Sequence, residues 1–170
     1  THVLLKGRAV HGLQTAFLLD WYFVDQTLIT YSCYFQRIDT PGSILTQIVT
    51  SDPVGPWKEI MQGLTIAITT AKKYVYIQTP YFLPSETVMA ALQSAALSGI
   101  DVRLMISNRC DNRITQWGSH SYLKDILSAG VKVYFYQKGF LHSKLMVSDD
   151  LLSTVGSPIL ISAALNTILK

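Results

Sequence analysis

The sequence predicts an α/β protein with a mixed, mostly parallel sheet flanked by helices on both faces. Three observations carry that expectation. Short runs rich in Val, Ile and Tyr alternate with longer segments whose apolar residues recur at helical spacing. Strands separated by helices of about 10–15 residues need crossover connections, which set neighbouring strands parallel and cover the sheet. The chain is 170 residues long, 49% hydrophobic and 15% charged, enough for one domain with a sizeable core and too apolar for a disordered chain.

In chain order, residues 2–6 read as a short strand. From Arg8 to Val24, Val10, Leu13, Phe17 and Trp21 keep helical spacing. The aromatic-rich stretch from Asp25 to Ser43, with turn residues Thr40-Pro41-Gly42, carries no assignment. Residues 44–50 read as a strand that stops at Asp52-Pro53. Pro56 at a favourable first position and Lys72-Lys73 at the far end bracket a helix over 57–72. Tyr74 to Ile77 is a strand by composition. Ser85 can cap a helix running to Ser98 that ends at Gly99. Next come a strand at Val102–Ile106, a helix over 115–128 ended by Gly130, and a strand at Val131–Tyr136. Leu141–Val147 and Leu152–Val155 read as two further strands joined at Ser148-Asp149-Asp150.

A net charge of +3 is too small and too scattered to argue for nucleic acid. No apolar run approaches the roughly 20 residues needed to span a bilayer. The start has neither a signal-peptide pattern nor an initiator Met, so the chain reads as the inside of something longer. Cys33 and Cys110 define no disulfide framework. No spacing suggests a zinc, calcium or P-loop site. His2, His11 and His120 read as surface or structural residues. Lys72, Lys73, Arg103, Arg109 and Arg113 could meet an anionic partner, although scattered charges usually mark a solvated face.

His142 stands apart. It opens His142-Ser143-Lys144-Leu145-Met146-Val147-Ser148-Asp149, the pattern H-x-K-x4-D, and Gly156-Ser157 comes six residues later. On a strand, His142 and Lys144 project to one side while Leu141, Ser143 and Leu145 face the other. A histidine beside a lysine suits a phosphate: the ammonium neutralises non-bridging oxygens, and the imidazole attacks phosphorus or protonates the leaving oxygen. Chance alone gives the pattern in a chain of this size on the order of once in a hundred. Tyr81 and Phe82, on a loop leaving a strand end, are the aromatics best placed to line a ligand groove, because ligands of open α/β sheets bind beside such ends.

The motif with its Gly-Ser resembles the HKD signature of the phospholipase D superfamily. Gln78-Thr79-Pro80-Tyr81-Phe82-Leu83-Pro84, Ala95 to Arg103, Ala129 to Tyr134 and Gly139-Phe140-Leu141 resemble its bacterial cardiolipin synthase branch. The opening, with Gly7, Val10, Leu13-Gln14, Phe17 and Asp20-Trp21, is similar to the segment after a first HKD motif in such enzymes. The resemblance covers residues 1–157 and implies an α/β/α sandwich whose active site joins two motifs. One histidine forms a phosphoenzyme and the other acts as acid and then base, with no metal or other cofactor. In this branch the reaction moves a phosphatidyl group from one phosphatidylglycerol, or a related anionic phospholipid, to another. By that resemblance His142, Lys144 and Asp149 are the catalytic motif, with Asp149 in a supporting role, and Ser157 helps line the pocket, while Tyr81 and Phe82 are placed on the substrate side by their loop. The partner motif would come from an upstream half or a second copy. The parent protein would sit at the bacterial inner membrane through upstream segments, while the fragment itself would be soluble. No nucleic acid partner is implied.

The resemblance stops at Ser157. The family would place an asparagine where Ile159 stands and a histidine-orienting glutamate where Lys170 stands. One permitted back-translation of residues 158–170, reread two bases on, encodes Asn-Leu-Asp-Phe-Arg-Ser-Phe-Glu-His-Asn-Phe-Glu, the expected tail. Residues 158–170 therefore read as a frameshifted tail, which would leave His142 without its orienting partner. A single-motif phosphodiesterase or nuclease acting as a homodimer, or an inert truncated domain, are the other readings of this chain.

Overall fold

The computed structural model describes residues 3–39, 42–51, 56–109 and 113–157. It divides into two compact units, residues 2–59 and residues 60 onward.

In the first unit one long helix, α1 (Ala9–Asp25), follows the predicted periodicity. Its backbone passes close to residue 48: a Cβ on Gly12 would come within 2.8 Å of the Ile48 side chain, so glycine permits the approach. A single 3-10 turn spans Ser32–Tyr34. The strands expected at 2–6 and 44–50 do not form among the described residues. Ile44 and Leu45 are 89% and 99% exposed. A β-prone run becomes a strand only where a neighbour supplies a ladder and a face to bury, and here neither is supplied.

The second unit holds α2 (Glu59–Thr70), β1 (Tyr74–Gln78), α3 (Glu86–Leu97), β2 (Asp101–Ser107), α4 (Arg113–Ser128), β3 (Lys132–Tyr136), β4 (Leu145–Ser148) and β5 (Leu152–Val155). The sheet order is β3-β2-β1-β4-β5. β1, β2 and β3 pair in parallel, whereas β4 runs antiparallel to both β1 and β5. This is the mixed α/β architecture that the sequence predicts, with four of the five strands running one way.

The core explains the order. Val75, Ile77, Val102, Leu104, Ile106 and Met146 alternate inward along their strands and share one cluster with Ile68 of α2, Leu92 of α3 and Ile126 of α4. The opposite side of the sheet is half-buried and polar. There Tyr74 and Tyr76 stack with ring centroids 4.4 Å apart. Asp101 pairs with Arg103 at 2.7 Å and Lys132 at 2.8 Å, which holds its carboxyl well below the ordinary range. Ser85 caps α3 as expected, its side chain accepting from Val88 N at 3.4 Å. Gly99 and Gly130, at φ +87° and +96°, turn the chain out of α3 and α4 into the next strands. No helix among the described residues is long and apolar enough to cross a membrane.

Candidate active site

Because β1, β2 and β3 run together, their carboxyl ends share one edge of the sheet, the edge at which open α/β sheets bind ligands. The chain reaches β4 by crossing this edge, and hydrogen bonds fix its path. Thr79 N donates to Met105 O at 3.0 Å, and Asn108 N donates to Tyr136 O at 3.1 Å. Leu141 N donates to Ser107 Oγ at 3.2 Å, while that hydroxyl donates to Arg109 O at 2.6 Å. Gln78 Nε2 donates to Ser143 Oγ at 2.5 Å. Residues 139–144 are thereby laid over the strand ends.

The predicted strand at Leu141–Val147 begins only at Leu145. Of the four preceding residues, Leu141 bonds to Ser107 at the end of β2 and Ser143 to Gln78 at the end of β1. Their alternation survives this change. Leu141 and Ser143 are buried, at 8% and 9% exposure, and His142 is exposed between them. Lys144 Nζ lies 3.4 Å from His142 Nε2 and donates to His142 O at 3.1 Å. The two chemistry-bearing side chains therefore sit together, as their spacing predicts. An ammonium only donates, so a hydrogen bond from it to Nε2 requires the imidazole proton on Nδ1. Burial pushes the Lys144 ammonium down from its ordinary pKa. A partly desolvated cation beside a nucleophilic nitrogen favours an anion placed between them.

Asp149 lies away from this pair. Its carboxylate accepts from the backbone N–H groups of Lys72 (2.6 Å), Lys73 and Tyr74 (both 2.9 Å). The Tyr74 and Lys72 donors hold its pKa below the ordinary value. It fastens the β4–β5 turn to the α2–β1 turn. Gly156 N donates to Lys144 O at 3.3 Å, so the chain after β5 runs beside the motif, with Ser157 next along and exposed.

Tyr81 and Phe82 part company. Tyr81 is 8% exposed, and its ring packs 6.2 Å from Phe140, whose own ring is 5.5 Å from His142. Phe82 corrects the expectation of a groove-lining residue. Phe82 N donates to Ser119 Oγ at 3.0 Å, turning the ring into the core at 0% exposure, where no substrate reaches it. Sequence reasoning missed Ser107, Ser119 and Ser143 as the hydroxyls that hold the edge together. Ser107 and Ser143 lie at or beside apolar strands, which is a local signal, whereas Ser119 sits in a polar stretch of α4 and has none.

Residues 64–165 match the family model described as cardiolipin synthase, PLD-like domain, which is more than half of the chain. The chain belongs to this family. It is 43% identical over 159 residues to the major cardiolipin synthase of Bacillus subtilis, covering 92% of this chain and 33% of that protein. With a cardiolipin synthase of Clostridium perfringens the identity is 40% over 163 residues, covering 92% and 34%. The chain thus spans about a third of the length of these curated relatives. Among solved structures, the phospholipase D family member Nuc from Salmonella typhimurium aligns with TM-score 0.51 and 24% identity, over 61% of this chain and 66% of that one. That likeness supports the fold. Within the cardiolipin synthase family match lie all of β1 to β5 and the whole motif.

Proposed function

We propose that this chain is the C-terminal catalytic half of a bacterial cardiolipin synthase and that His142 supplies one of the two imidazoles of its active site. The observation that carries this reading is the His142–Lys144 pair, 3.4 Å apart at the carboxyl edge of the sheet. One imidazole attacks the phosphorus of a phosphatidylglycerol, forming an N–P bond as the P–O bond to glycerol breaks. The second imidazole gives its proton to the departing glycerol oxygen. Now neutral, it takes a proton from a hydroxyl of another phosphatidylglycerol. That oxygen attacks phosphorus, the N–P bond breaks, and cardiolipin is released. Lys144 stabilises charge on the non-bridging oxygens throughout.

Tyr81, through Phe140, and Ser157 flank the phosphate position. The second imidazole comes from the upstream half of the parent protein or from another copy, and upstream segments hold that parent at the inner membrane. Residues 158–170, which lie outside the described residues, are a shifted reading of the family tail.

The test uses two proteins, the 170-residue chain and the full parent with its tail restored to frame. Vesicles of phosphatidylglycerol are the substrate. The full parent forms cardiolipin and glycerol, the 170-residue chain alone shows negligible turnover, and His142→Asn in the parent lowers kcat by about 10²–10⁴-fold or more. The reading is overturned by a dimer of the 170-residue chain that cleaves a small phosphodiester while leaving phosphatidylglycerol untouched.

A further inference from the structure

The carboxyl edge carries more than the motif. α4 starts there, and the loop before it is joined to the loop before β4. Gln116 Nε2 donates to Asn108 O at 3.0 Å, and Asn108 Nδ2 donates to Gln137 Oε1 at 3.1 Å. On this rim Trp117 is 70% exposed, Ile114 66% and Phe140 43%. The core-facing side of α4 is already filled by Thr115, Ser119, Leu123 and Ile126, so packing does not account for the indole.

At the same edge Arg109 after β2, Arg113 at the start of α4 and Lys138 after β3 are all exposed. Glu86, in the first turn of α3, is the acid at this edge among the described residues of the unit. Asp101, Asp125, Asp149 and Asp150 lie towards the opposite edge, at the start of β2, the end of α4 and the β4–β5 turn. Asp111, between the two arginines in sequence, is outside the described residues.

An exposed tryptophan with exposed apolar neighbours and cations on the same edge is the composition that settles at a bilayer's headgroup level. We infer that this rim docks on the surface of an anionic phospholipid bilayer, with Trp117, Ile114 and Phe140 among the headgroups and Arg109, Arg113 and Lys138 on lipid phosphates. Docked so, the domain presents the His142 edge to lipid that has not left the bilayer. This membrane contact belongs to the domain itself, separate from any upstream anchor. It requires no turnover, so it stands or falls independently of the transfer chemistry.

The test uses the 170-residue chain carrying Trp21→Phe and Trp57→Phe, which leaves Trp117 as the sole indole. Vesicles of phosphatidylglycerol shift its emission to the blue, and brominated acyl chains quench it. Vesicles of pure phosphatidylcholine do neither, and high salt reverses the effect. Arg109→Ser together with Arg113→Ser weakens vesicle partitioning about 25-fold, about five-fold for each cation removed. Because these side chains are exposed, circular dichroism of the variants matches the parent. Sedimentation with anionic vesicles while Trp117 emission stays unmoved overturns the inference, as does equal binding of the arginine variant. Emission that is already blue and concentration-dependent without lipid assigns the rim to a second copy and overturns it as well.

Discussion

Asp149 illustrates how one side chain can tie together two turns that are distant in the chain. Its backbone turns through φ +55°, and its carboxylate gathers three N–H groups from a turn about 75 residues earlier in the chain. Three N–H donors converging on its two oxygens favour the ionised carboxylate. The pKa is lowered from 3.8, so its stabilising effect is fully present above that value and is lost as pH falls through the lower folded pKa. Asp149→Asn therefore lowers the thermal midpoint by a constant margin between pH 7 and 5, and the gap to the parent closes below about pH 4. Melting curves across that range check it, and a pH-independent gap would contradict the carboxylate's role. The pattern H-x-K-x4-D made Asp149 legible as part of the motif. Its partners were not legible, since nothing local in the sequence ties residue 149 to residues 72–74. His142 and Lys144 were readable because alternation alone puts them on one side. Phe82 was misread because a loop residue beside a site looks identical in sequence whether its ring turns outward or into the core.

At the scale of elements, the parts with repeating signals followed the sequence closely. α3 carried an N-cap serine, helical spacing and a closing glycine, and the observed Glu86–Leu97 agrees with all three. β1, β2, β3 and β5 were legible as apolar runs between turns. The failures share a cause. Residues 44–50 and 141–144 have strand composition, yet their backbone groups are not engaged in a regular ladder, because strand identity depends on what lies alongside. Two substitutions separate the local from the tertiary contribution. Ser85→Ala removes one cap and costs about 1 kcal/mol. Phe82→Ala empties a fully buried site between elements and costs about 3–5 kcal/mol, despite its position in a loop. Urea unfolding of the chain measures both, and a larger loss for Ser85→Ala would mean that the 80–84 loop is not part of the core.

The whole molecule is uneven in what it buries. The unit from residue 60 onward has a continuous core whose central residues, Val75, Val88, Val102, Leu104 and Ile126, are at most 1% exposed. The unit of residues 2–59 has no counterpart among its described residues. α1 contains no buried residue, and Phe17, Leu19, Phe23, Val24, Leu28 and Tyr31 are all more than half exposed. A 17-residue helix without a buried face has little beyond its own marginal propensity to hold it. Its apolar periodicity is nonetheless that of a helix with a face to cover, which on the proposed reading the rest of the parent protein supplies. The consequence is a gradient of local stability. In native-state hydrogen exchange on the 170-residue chain, α1 amides exchange within a few tenfold of the unfolded rate, while those of β1 and β2 are protected to the limit set by global unfolding. Supplying the rest of the parent protein slows α1 and leaves β1 and β2 unchanged. Strong protection of α1 in the chain by itself would show that the helix is stabilised within residues 1–170 and would remove the need for an external cover.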